Sequence, residues 1–374
     1  MIDARYLNGK TSGIGRYTYH LIKNLLEIDE NLYLRLITHP NEPRPFDDAR
    51  VDCQVFSHPP NSLSTRYRLS KEIDFRGVRL FHSPFNILPA DLPVPSVFTL
   101  HDIMWLLDAD YCTSKLWKKL VTGTFYKQFI PRSLHQAAGI FTVSHHSKNE
   151  IVDYFPEARG RVFVTYNGLD PFFRPLPAEE GWPLLRQWMA PKTPFVLIVG
   201  QGSPYKNHEG ALRGFLNAFG DQPEVHCVLV RRLHSQASGE LAQLIKDPRL
   251  NSRIHQLDYI TGQELRALYS MAFSFLFPSL YEGFGLPALE AMACGTAVVA
   301  SNMGAPAEVA STGAIQVDPL DENSIGKALR DLYFDKKYRD SMQNKALERA
   351  NEFEWKVCAQ RALRYYEEIL GTWE

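Results

Sequence analysis

The feature that most constrains the fold of this chain is a regular alternation of short β-rich runs with longer runs of helical periodicity. Such alternation predicts parallel sheets with helices on both faces, because parallel strands need a crossover connection, which is usually a helix. The predicted strands are Ile2–Tyr6, Tyr33–Thr38, Cys53–Ser57, Leu80–Ser83, Ser96–Leu100, Gly139–Val143, Val162–Tyr166, Phe195–Val199, His226–Val230, Ile254–Leu257, Ser274–Pro278, Thr296–Ala300 and Ala314–Val317. The predicted helices include Gly15–Glu27, Ser147–Tyr154, His208–Phe219, Gly262–Met271, Ala288–Cys294 and Asn323–Phe334.

A break between two halves of the chain is visible in the sequence. Asn167-Gly168-Leu169-Asp170-Pro171 has the chemistry of a turn, and the chain up to Pro194 is rich in Pro and Trp and poor in strand pattern. With 374 residues, of which 45% are hydrophobic and 22% charged, the chain is long enough for two globular domains. We predict domains at residues 1–175 and 176–354, followed by a last helix at residues 355–374.

Charge and cysteine content exclude several classes of function. The formal net charge is −1, so no nucleic-acid partner is expected. The five cysteines are scattered without a C-x-x-C pair, which indicates neither a disulfide framework nor a zinc site. No signal peptide and no apolar run long enough to span a bilayer are recognised, so a cytoplasmic location is expected.

The segment from Tyr281 to Glu290 joins a predicted buried strand to a predicted short helix. Gly283 and Gly285 allow the backbone to come close to a ligand without side-chain collision. Pro287 fits the first helical position, and the free N–H groups just before it form an anion site. A strand–loop–helix junction of this composition predicts a ligand-binding loop.

Two glutamates flank this loop. Glu282 lies on the loop and Glu290 in the first helical turn, so that one carboxylate suits the hydroxyls of a sugar and the other a ribose diol. The alternative is that Glu290 is an ordinary first-turn glutamate favoured by the helix dipole, and that the glycines serve only the turn.

Glu282-x7-Glu290 with Gly-Phe-Gly-Leu-Pro between resembles the signature of the retaining, nucleotide-sugar-dependent GT-B glycosyltransferases known as glycosyltransferase family 4. The resemblance implies two Rossmann-like, doubly wound α/β domains facing across a cleft, with the C-terminal helix crossing back onto the first domain. It also implies front-side attack with retention of configuration, without a metal and without a cofactor. The residues that it implies in donor binding on this segment are Glu282, Gly283, Phe284, Gly285, Leu286 and Glu290, and it implies a catalytic role for Glu282.

Lys206 matches the lysine with which the family holds the donor's diphosphate. A compact cation suits a leaving group that becomes more negative as the sugar departs, so catalytic and donor-binding roles are both expected. Many relatives carry an arginine near this lysine, where this chain has Gln201 and Tyr205. Arg231 or Arg232 is expected to supply the second cation, and Arg231 is preferred because alternation along the strand points one of the pair outward.

Two further sites are predicted in the first half of the chain. Gly13 and Gly15 lie where a predicted helix begins, and backbone N–H groups there can meet phosphate oxygens, although a plain tight turn is the alternative. His101 ends a predicted strand, where an open α/β sheet binds its ligands. A histidine there can hydrogen-bond a sugar hydroxyl or a phosphate, and its charge can change near neutral pH. A catalytic role is predicted for His101, and a structural histidine is the alternative.

The segment of residues 111–149 contains no Asp or Glu and mixes basic with aromatic side chains. Such a face is typical of contact with an anionic membrane or with a pyrophosphate-lipid acceptor, and peripheral attachment at the inner face of the membrane is the corresponding expectation. A solvated helix face over the core is an equal alternative.

Asp3-Ala4-Arg5 and Ser12–Tyr17, together with Tyr281–Phe284, resemble the bacterial O-antigen mannosyltransferases of the family. The resemblance implies mannose transfer from GDP-mannose to a glycan or lipid-linked glycan in polysaccharide or lipopolysaccharide synthesis. A UDP- or dTDP-sugar donor and a non-catalytic nucleotide-sugar-binding subunit are the alternatives. A Rossmann oxidoreductase is disfavoured because the G-x-G-x-x-G fingerprint is absent from the sequence.

Overall fold

The computed structural model describes residues 1–9, 12–231 and 239–373, with the side chain of residue 373 left aside. The chain forms two compact units. Unit 1 contains Met1–Ala109, Trp117–Gly168 and the chain from Glu354 onward, whereas unit 2 contains Asp110–Leu116 and Leu169–Phe353.

Unit 1 is built on a parallel sheet of seven strands in the order β3-β2-β1-β4-β5-β6-β7. The strands are β1 (Ile2–Asp3), β2 (Leu34–Thr38), β3 (Val51–Val55), β4 (Phe81–Ser83), β5 (Ser96–Thr99), β6 (Gly139–Thr142) and β7 (Val162–Val164). The strand order reverses between β1 and β4. Loops that follow neighbouring strands diverge at such a reversal and leave a crevice at the carboxyl edge of the sheet.

The helices in this half of the chain are α1 (Gly13–Ile28), α2 (Leu63–Glu72), α3 (Met104–Leu107), α4 (Ala109–Cys112), α5 (Leu116–Lys118), α6 (Thr124–Gln136) and α7 (His145–Tyr154), with a π-helical turn at Lys119–Gly123 and a 3-10 turn at Pro156–Arg161. Most of α4 and the first residue of α5 belong to unit 2. The core is rich in aromatic side chains; Phe81, Phe98 and Phe141 on three adjacent strands are fully buried.

Unit 2 contains a parallel sheet of six strands in the order β10-β9-β8-β11-β12-β13. The strands are β8 (Phe195–Val199), β9 (His226–Val230), β10 (Ile254–Leu257), β11 (Ser274–Phe277), β12 (Val298–Ser301) and β13 (Ala314–Val317). The order reverses between β8 and β11, so the loops after these two strands flank the crevice of this sheet.

The helices of unit 2 are α8 (Ala178–Leu185), α9 (His208–Phe219), α10 (Gly239–Ile245), α11 (Gly262–Met271), α12 (Leu286–Ala293), α13 (Gly304–Ala310), α14 (Glu322–Phe334) and α15 (Lys336–Ala350), with 3-10 turns at Pro204–Lys206 and Ser311–Gly313. Side-chain caps determine where several of them begin. Thr261 and Glu264 form a reciprocal capping box at α11, which satisfies two backbone N–H groups that the helix itself leaves without acceptors.

The last helix, α16 (Trp355–Trp373), returns to unit 1, as predicted. The Tyr366 hydroxyl lies 2.5 Å from Nδ1 of the buried His82, and the Tyr365 ring stacks on Phe163 with ring centroids 4.3 Å apart. At the start of the helix, Gly168 is packed so closely that a Cβ atom there would lie 2.0 Å from the Trp355 nitrogen. The absence of a side chain at Gly168 therefore leaves room for the backbone at the start of α16.

The predicted fold class, two parallel α/β sheets, is confirmed, and each predicted strand is present. Strands β8, β9, β10 and β13 have the predicted bounds. Strand β12 begins later than predicted because the backbone N–H of Thr296 is bonded to the carbonyl of Ala291. Helix α2 was not predicted because its buried positions, Thr65, Arg66 and Leu69, are mostly polar and weaken the hydrophobic period.

Candidate active site

The loops after β8 and β11 are tied to each other at the reversal point of the unit 2 sheet. The Leu280 N–H donates to the Tyr205 carbonyl at 2.7 Å. The Asn207 amide donates to the carbonyls of Pro278 at 3.2 Å and Pro319 at 2.8 Å, while its oxygen accepts from the Gly210 N–H and so caps α9. These hydrogen bonds fix the loops that carry Lys206 and Glu282 relative to each other.

Lys206 and Glu282, both predicted as catalytic, are brought into direct contact. The Lys206 ammonium donates to a Glu282 carboxylate oxygen, with side-chain exposures of only 7% and 12%. The ammonium also lies 5.1 Å from the centre of the Phe277 ring and 4.9 Å from that of Tyr205. A buried ammonium that lies between aromatic rings and is paired with a carboxylate can exchange that carboxylate for an anionic ligand.

Helix α12 begins two residues earlier than predicted, which corrects two details of the sequence analysis. Gly285 precedes the helix with a φ of 105°, a conformation that glycine adopts without strain. Because Leu286 is the first helical residue, Pro287 is the second and Glu290 lies just beyond the first turn. Glu290 is 4% exposed and accepts a 3.3 Å hydrogen bond from the Tyr269 hydroxyl.

The side chain of Phe284 faces the core rather than solvent. It is 4% exposed and packs edge-on against Phe353 with ring centroids 5.7 Å apart. This packing anchors the loop between the two glutamates; of the glycines on either side of Phe284, Gly283 is half-buried and Gly285 is buried.

Arg231 directly follows β9, beside the end of β8. Its backbone N–H donates to the Leu257 carbonyl at 2.9 Å, and the Gly200 N–H donates to the Val230 carbonyl at 3.0 Å, so Arg231 and Gly200 end neighbouring strands. The Arg231 side chain is 3% exposed, and this burial lowers the pKa of its guanidinium. Arg232, the alternative second cation, lies outside the described residues.

Sequence reasoning missed His208, the first residue of α9. It is 4% exposed, and burial, followed by the charges of Arg231 and Lys206, lowers its pKa to about 3. Its position two residues after Lys206, at a strand–helix junction, is the signal that could have identified it.

In unit 1, Gly13 and Gly15 begin α1, but their amides are in different situations. The Gly15 N–H donates to the Ser12 hydroxyl at 3.0 Å, which caps the helix. A Cβ at Gly15 would lie 2.9 Å from the Tyr6 carbonyl oxygen, whereas one at Gly13 would meet no atom of the described residues within 4 Å. Gly15 is therefore required for packing, and the open surroundings of Gly13 leave space for a ligand.

His101 lies just after β5 and is held by the protein itself. Its Nε2 is 3.0 Å from the Pro84 carbonyl oxygen, and its ring meets the Tyr17 ring edge-on at 5.0 Å. Loss of hydration in this environment lowers its pKa to about 4. The expectation that His101 changes charge near neutral pH is therefore wrong: it is neutral there, with Nε2–H donating to Pro84 and Nδ1 left as an acceptor.

Within residues 1–9, 12–231 and 239–373, no group of three or more His, Cys, Asp or Glu side chains is arranged to hold a metal ion. In the same part of the chain, no helix combines the length and apolar character needed to cross a membrane.

Two Rossmann-like parallel sheets, each with a reversal point and a loop–helix junction at its carboxyl edge, define a GT-B protein. The family models described as "Glycosyltransferase Family 4" and "Glycosyl transferases group 1" match residues 11–172 and 186–349. The chain therefore belongs to the GT-B glycosyltransferases of the family 4 type. The first model spans Gly13, Gly15 and His101, and the second spans Lys206, Arg231 and the two glutamates.

Similar proteins include an "O-antigen chain mannosyltransferase B" of Escherichia coli, 26% identical over 95% of this chain and 96% of that protein. A "Serotype-specific mannosyltransferase WbdA" of Escherichia coli is 26% identical over 76% of this chain, which spans only 35% of that longer protein. Among solved structures, a sucrose-phosphate synthase from Thermosynechococcus elongatus has a TM-score of 0.76 at 20% identity, covering 99% of this chain and 98% of that one. The structural likeness shows the shared fold.

Proposed function

We propose that this glycosyltransferase moves a mannosyl group from GDP-mannose, with retention of configuration, to a hydroxyl of a glycan or lipid-linked glycan in O-antigen or related polysaccharide synthesis. The observation that carries the proposal is the buried Lys206–Glu282 pair at the reversal point of the unit 2 sheet, with Glu290 on the adjoining helix. The name of the Escherichia coli relative that matches nearly end to end supports mannose as the sugar.

In the proposed reaction, the acceptor oxygen attacks the anomeric carbon on the face from which the diphosphate leaves. The bond from that carbon to the phosphate oxygen breaks, a bond to the acceptor oxygen forms, and the leaving diphosphate takes the acceptor's proton. Lys206 turns from Glu282 to the diphosphate and stabilises its growing charge. The nucleotide sugar is consumed as a substrate, and no cofactor or metal is proposed.

The remaining residues bind the substrates. Glu290 accepts the ribose hydroxyls, Glu282 accepts sugar hydroxyls, and Arg231 is the second cation for the diphosphate. The loop of Gly283, Phe284, Gly285 and Leu286 presents its backbone to the donor. In unit 1, the backbone of Gly13, near Gly15 at the start of α1, is accessible to a substrate. Nδ1 of the neutral His101 accepts a hydrogen bond from a substrate hydroxyl.

A donor screen tests this proposal. The protein is incubated with a mannose-terminated oligosaccharide as acceptor and with GDP-mannose, UDP-glucose or dTDP-rhamnose as donor, with and without EDTA, and release of nucleoside diphosphate is measured. We expect release from GDP-mannose, unchanged by EDTA, and an α-anomeric product by NMR. Preferential use of a UDP- or dTDP-sugar would refute the donor assignment, and a β-linked product would refute retention.

We also propose peripheral contact with anionic membranes, at the cytoplasmic face, through the basic segment of residues 111–149. Trp117, Leu120 and Val121 are 61%, 70% and 66% exposed, next to Lys118 and Lys119. Exposed apolar side chains on either side of a pair of lysines complement the acyl boundary and headgroups of an anionic bilayer.

Co-sedimentation with phosphatidylglycerol and phosphatidylcholine vesicles tests this contact. Leu120→Ser should lower binding to the anionic vesicles, while Tyr33→Ser, which alters a 78% exposed aromatic side chain elsewhere in unit 1, should not. Equal binding of both variants and the native protein would contradict the assignment of this segment.

A further inference from the structure

Three buried basic side chains converge on the carboxyl end of β8. Lys206, His208 and Arg231 are 7%, 4% and 3% exposed. Lys206 and His208 lie at the start of α9, and Arg231 directly follows the neighbouring strand β9, beside Gly200. The charges of both Lys206 and Arg231 act on the His208 ring.

The His208 ring presents its Nε2 to the backbone of Gly200. A Cβ atom at Gly200 would lie 3.1 Å from His208 Nε2 and 3.1 Å from Lys206 Cδ. Both side chains therefore line the space that the absence of a side chain at Gly200 leaves open. Among the described residues, Nε2 has no hydrogen-bond partner, although the ring is buried.

A buried imidazole nitrogen without a hydrogen-bond partner destabilises the folded protein. Burying a polar group without a hydrogen bond is unfavourable, and burial, followed by the charges of Arg231 and Lys206, keeps the imidazole neutral. An anion bound beside Lys206 and Arg231 would remove this penalty, because it accepts a hydrogen bond from Nε2–H.

The helix that His208 begins favours the same ligand. Helix α9 has 12 residues, and its N-terminus carries a partial positive charge and N–H groups directed outward. The ligand class that fits a lysine, an arginine, a neutral imidazole donor and a helix N-terminus is a phosphate or diphosphate.

We propose that His208 is a binding residue for the diphosphate of the nucleotide sugar, donating from Nε2 to a phosphate oxygen between Lys206 and Arg231. The inference rests on the proposed function, because it takes the nucleotide sugar as the ligand of this site. It adds to that function a neutral donor that positions the leaving group without contributing charge.

Calorimetric titration with GDP and with guanosine tests the assignment in His208→Leu and His208→Gln. Loss of a hydrogen bond to a charged group predicts a rise of about tenfold in the Kd for GDP in His208→Leu. Guanosine, which lacks phosphate, should bind both variants as it binds the native protein. Gln retains a donor on a similar stem, so His208→Gln should recover most of the GDP affinity.

His255→Leu is the matched control, since His255 lies in the same unit and is hydrogen-bonded to His226 on the neighbouring strand. It should leave GDP binding unchanged. Thermal unfolding identifies any variant that fails to fold. If His208→Leu does not fold, the native protein is labelled with 15N-histidine and studied by NMR, and the His208 resonance is assigned by its absence from His208→Gln. GDP should then shift the His208 Nε2 resonance, and guanosine should not.

The outcomes separate the inference from the proposed function. Native protein that binds GDP while folded His208→Leu binds it equally well would overturn the role of His208 and leave the donor site intact. Native protein that binds neither GDP nor UDP would overturn the donor site itself. Parallel losses of GDP and guanosine affinity would show a structural role and would also overturn the inference.

Discussion

Replacement of Lys206 by methionine is the most informative perturbation, because the structure predicts separate effects on stability and on catalysis. Lys206→Met removes the ammonium and keeps most of the apolar stem. It leaves the Glu282 carboxylate, 12% exposed, without its cation. Breaking a buried ion pair costs about 3–5 kcal/mol, and the residual exposure of Glu282 to water suggests the lower end, about 3 kcal/mol.

The double variant Lys206→Met/Glu282→Gln should recover part of this loss. Glutamine carries no charge, so no uncompensated carboxylate remains buried, and a coupling of about 1–3 kcal/mol between the two sites is expected. Activity should behave differently: loss of one electrostatic stabiliser of the leaving diphosphate lowers kcat/KM about 10²-fold or more, and glutamine at position 282 cannot restore it.

Calorimetric unfolding and steady-state transfer from GDP-mannose measure the two effects. The unfolding transition of unit 2 is identified by its upward shift with GDP, since two units need not unfold together. Lys327→Met is the control, because Lys327 forms an exposed i,i+4 pair with Asp331 and should change neither readout. If Lys206→Met matched this control in unfolding and turnover, both the buried pair and the leaving-group role would be refuted.

Four further perturbations test other parts of the molecule. Glu290→Ala should raise the donor KM about ten- to hundredfold through loss of a charged acceptor, with kcat little changed; an unchanged KM would contradict ribose binding. His101→Ala should lower turnover while calorimetric GDP affinity stays intact, since nucleotide contacts are proposed in unit 2; lost affinity in a folded variant would argue against this division. Gly168→Ala should lower the Tm of unit 1 by the equivalent of about 1–3 kcal/mol, because its Cβ would lie 2.0 Å from the Trp355 nitrogen; an unchanged Tm would show that the turn relaxes freely. Burial lowers the pKa of His82 from 6.5 to about 3. Between these values His82 is protonated in the unfolded chain and neutral in the native state. Stability should therefore fall from pH 6.5 towards pH 3, and His82→Gln should flatten this dependence in a series of Tm measurements; equal slopes would refute it.

Much of the fold could be predicted because strand and helix signals are local. The run Phe195–Val199 is apolar throughout, is bounded by a proline and a glycine, and forms β8 with the predicted bounds. Helix α2 shows where this reasoning fails: its inward face carries Thr65 and Arg66, and only tertiary hydrogen bonds, such as that from Arg66 to the Leu88 carbonyl at 2.6 Å, account for their burial.

The candidate site likewise has features that are visible in the sequence and features that arise only from the fold. The residue types and spacing around Glu282 and Glu290 are visible in the sequence, because one loop and the helix that follows it carry both. That Glu282 is bonded to Lys206, 76 residues away, depends on β8 and β11 being neighbours at the reversal of strand order. Local periodicity contains no information about which strands become neighbours.

The sequence by itself therefore determined the α/β class, the strand positions and the presence of the loop that carries Glu282 and leads into α12, since each depends on residues close together in the chain. Tertiary structure alone decided the charge state of His101, the pairing of Lys206 with Glu282 and the burial of His208 between two cations. These properties depend on desolvation and on charges from distant segments, and both arise only when the sheet brings the strand ends together.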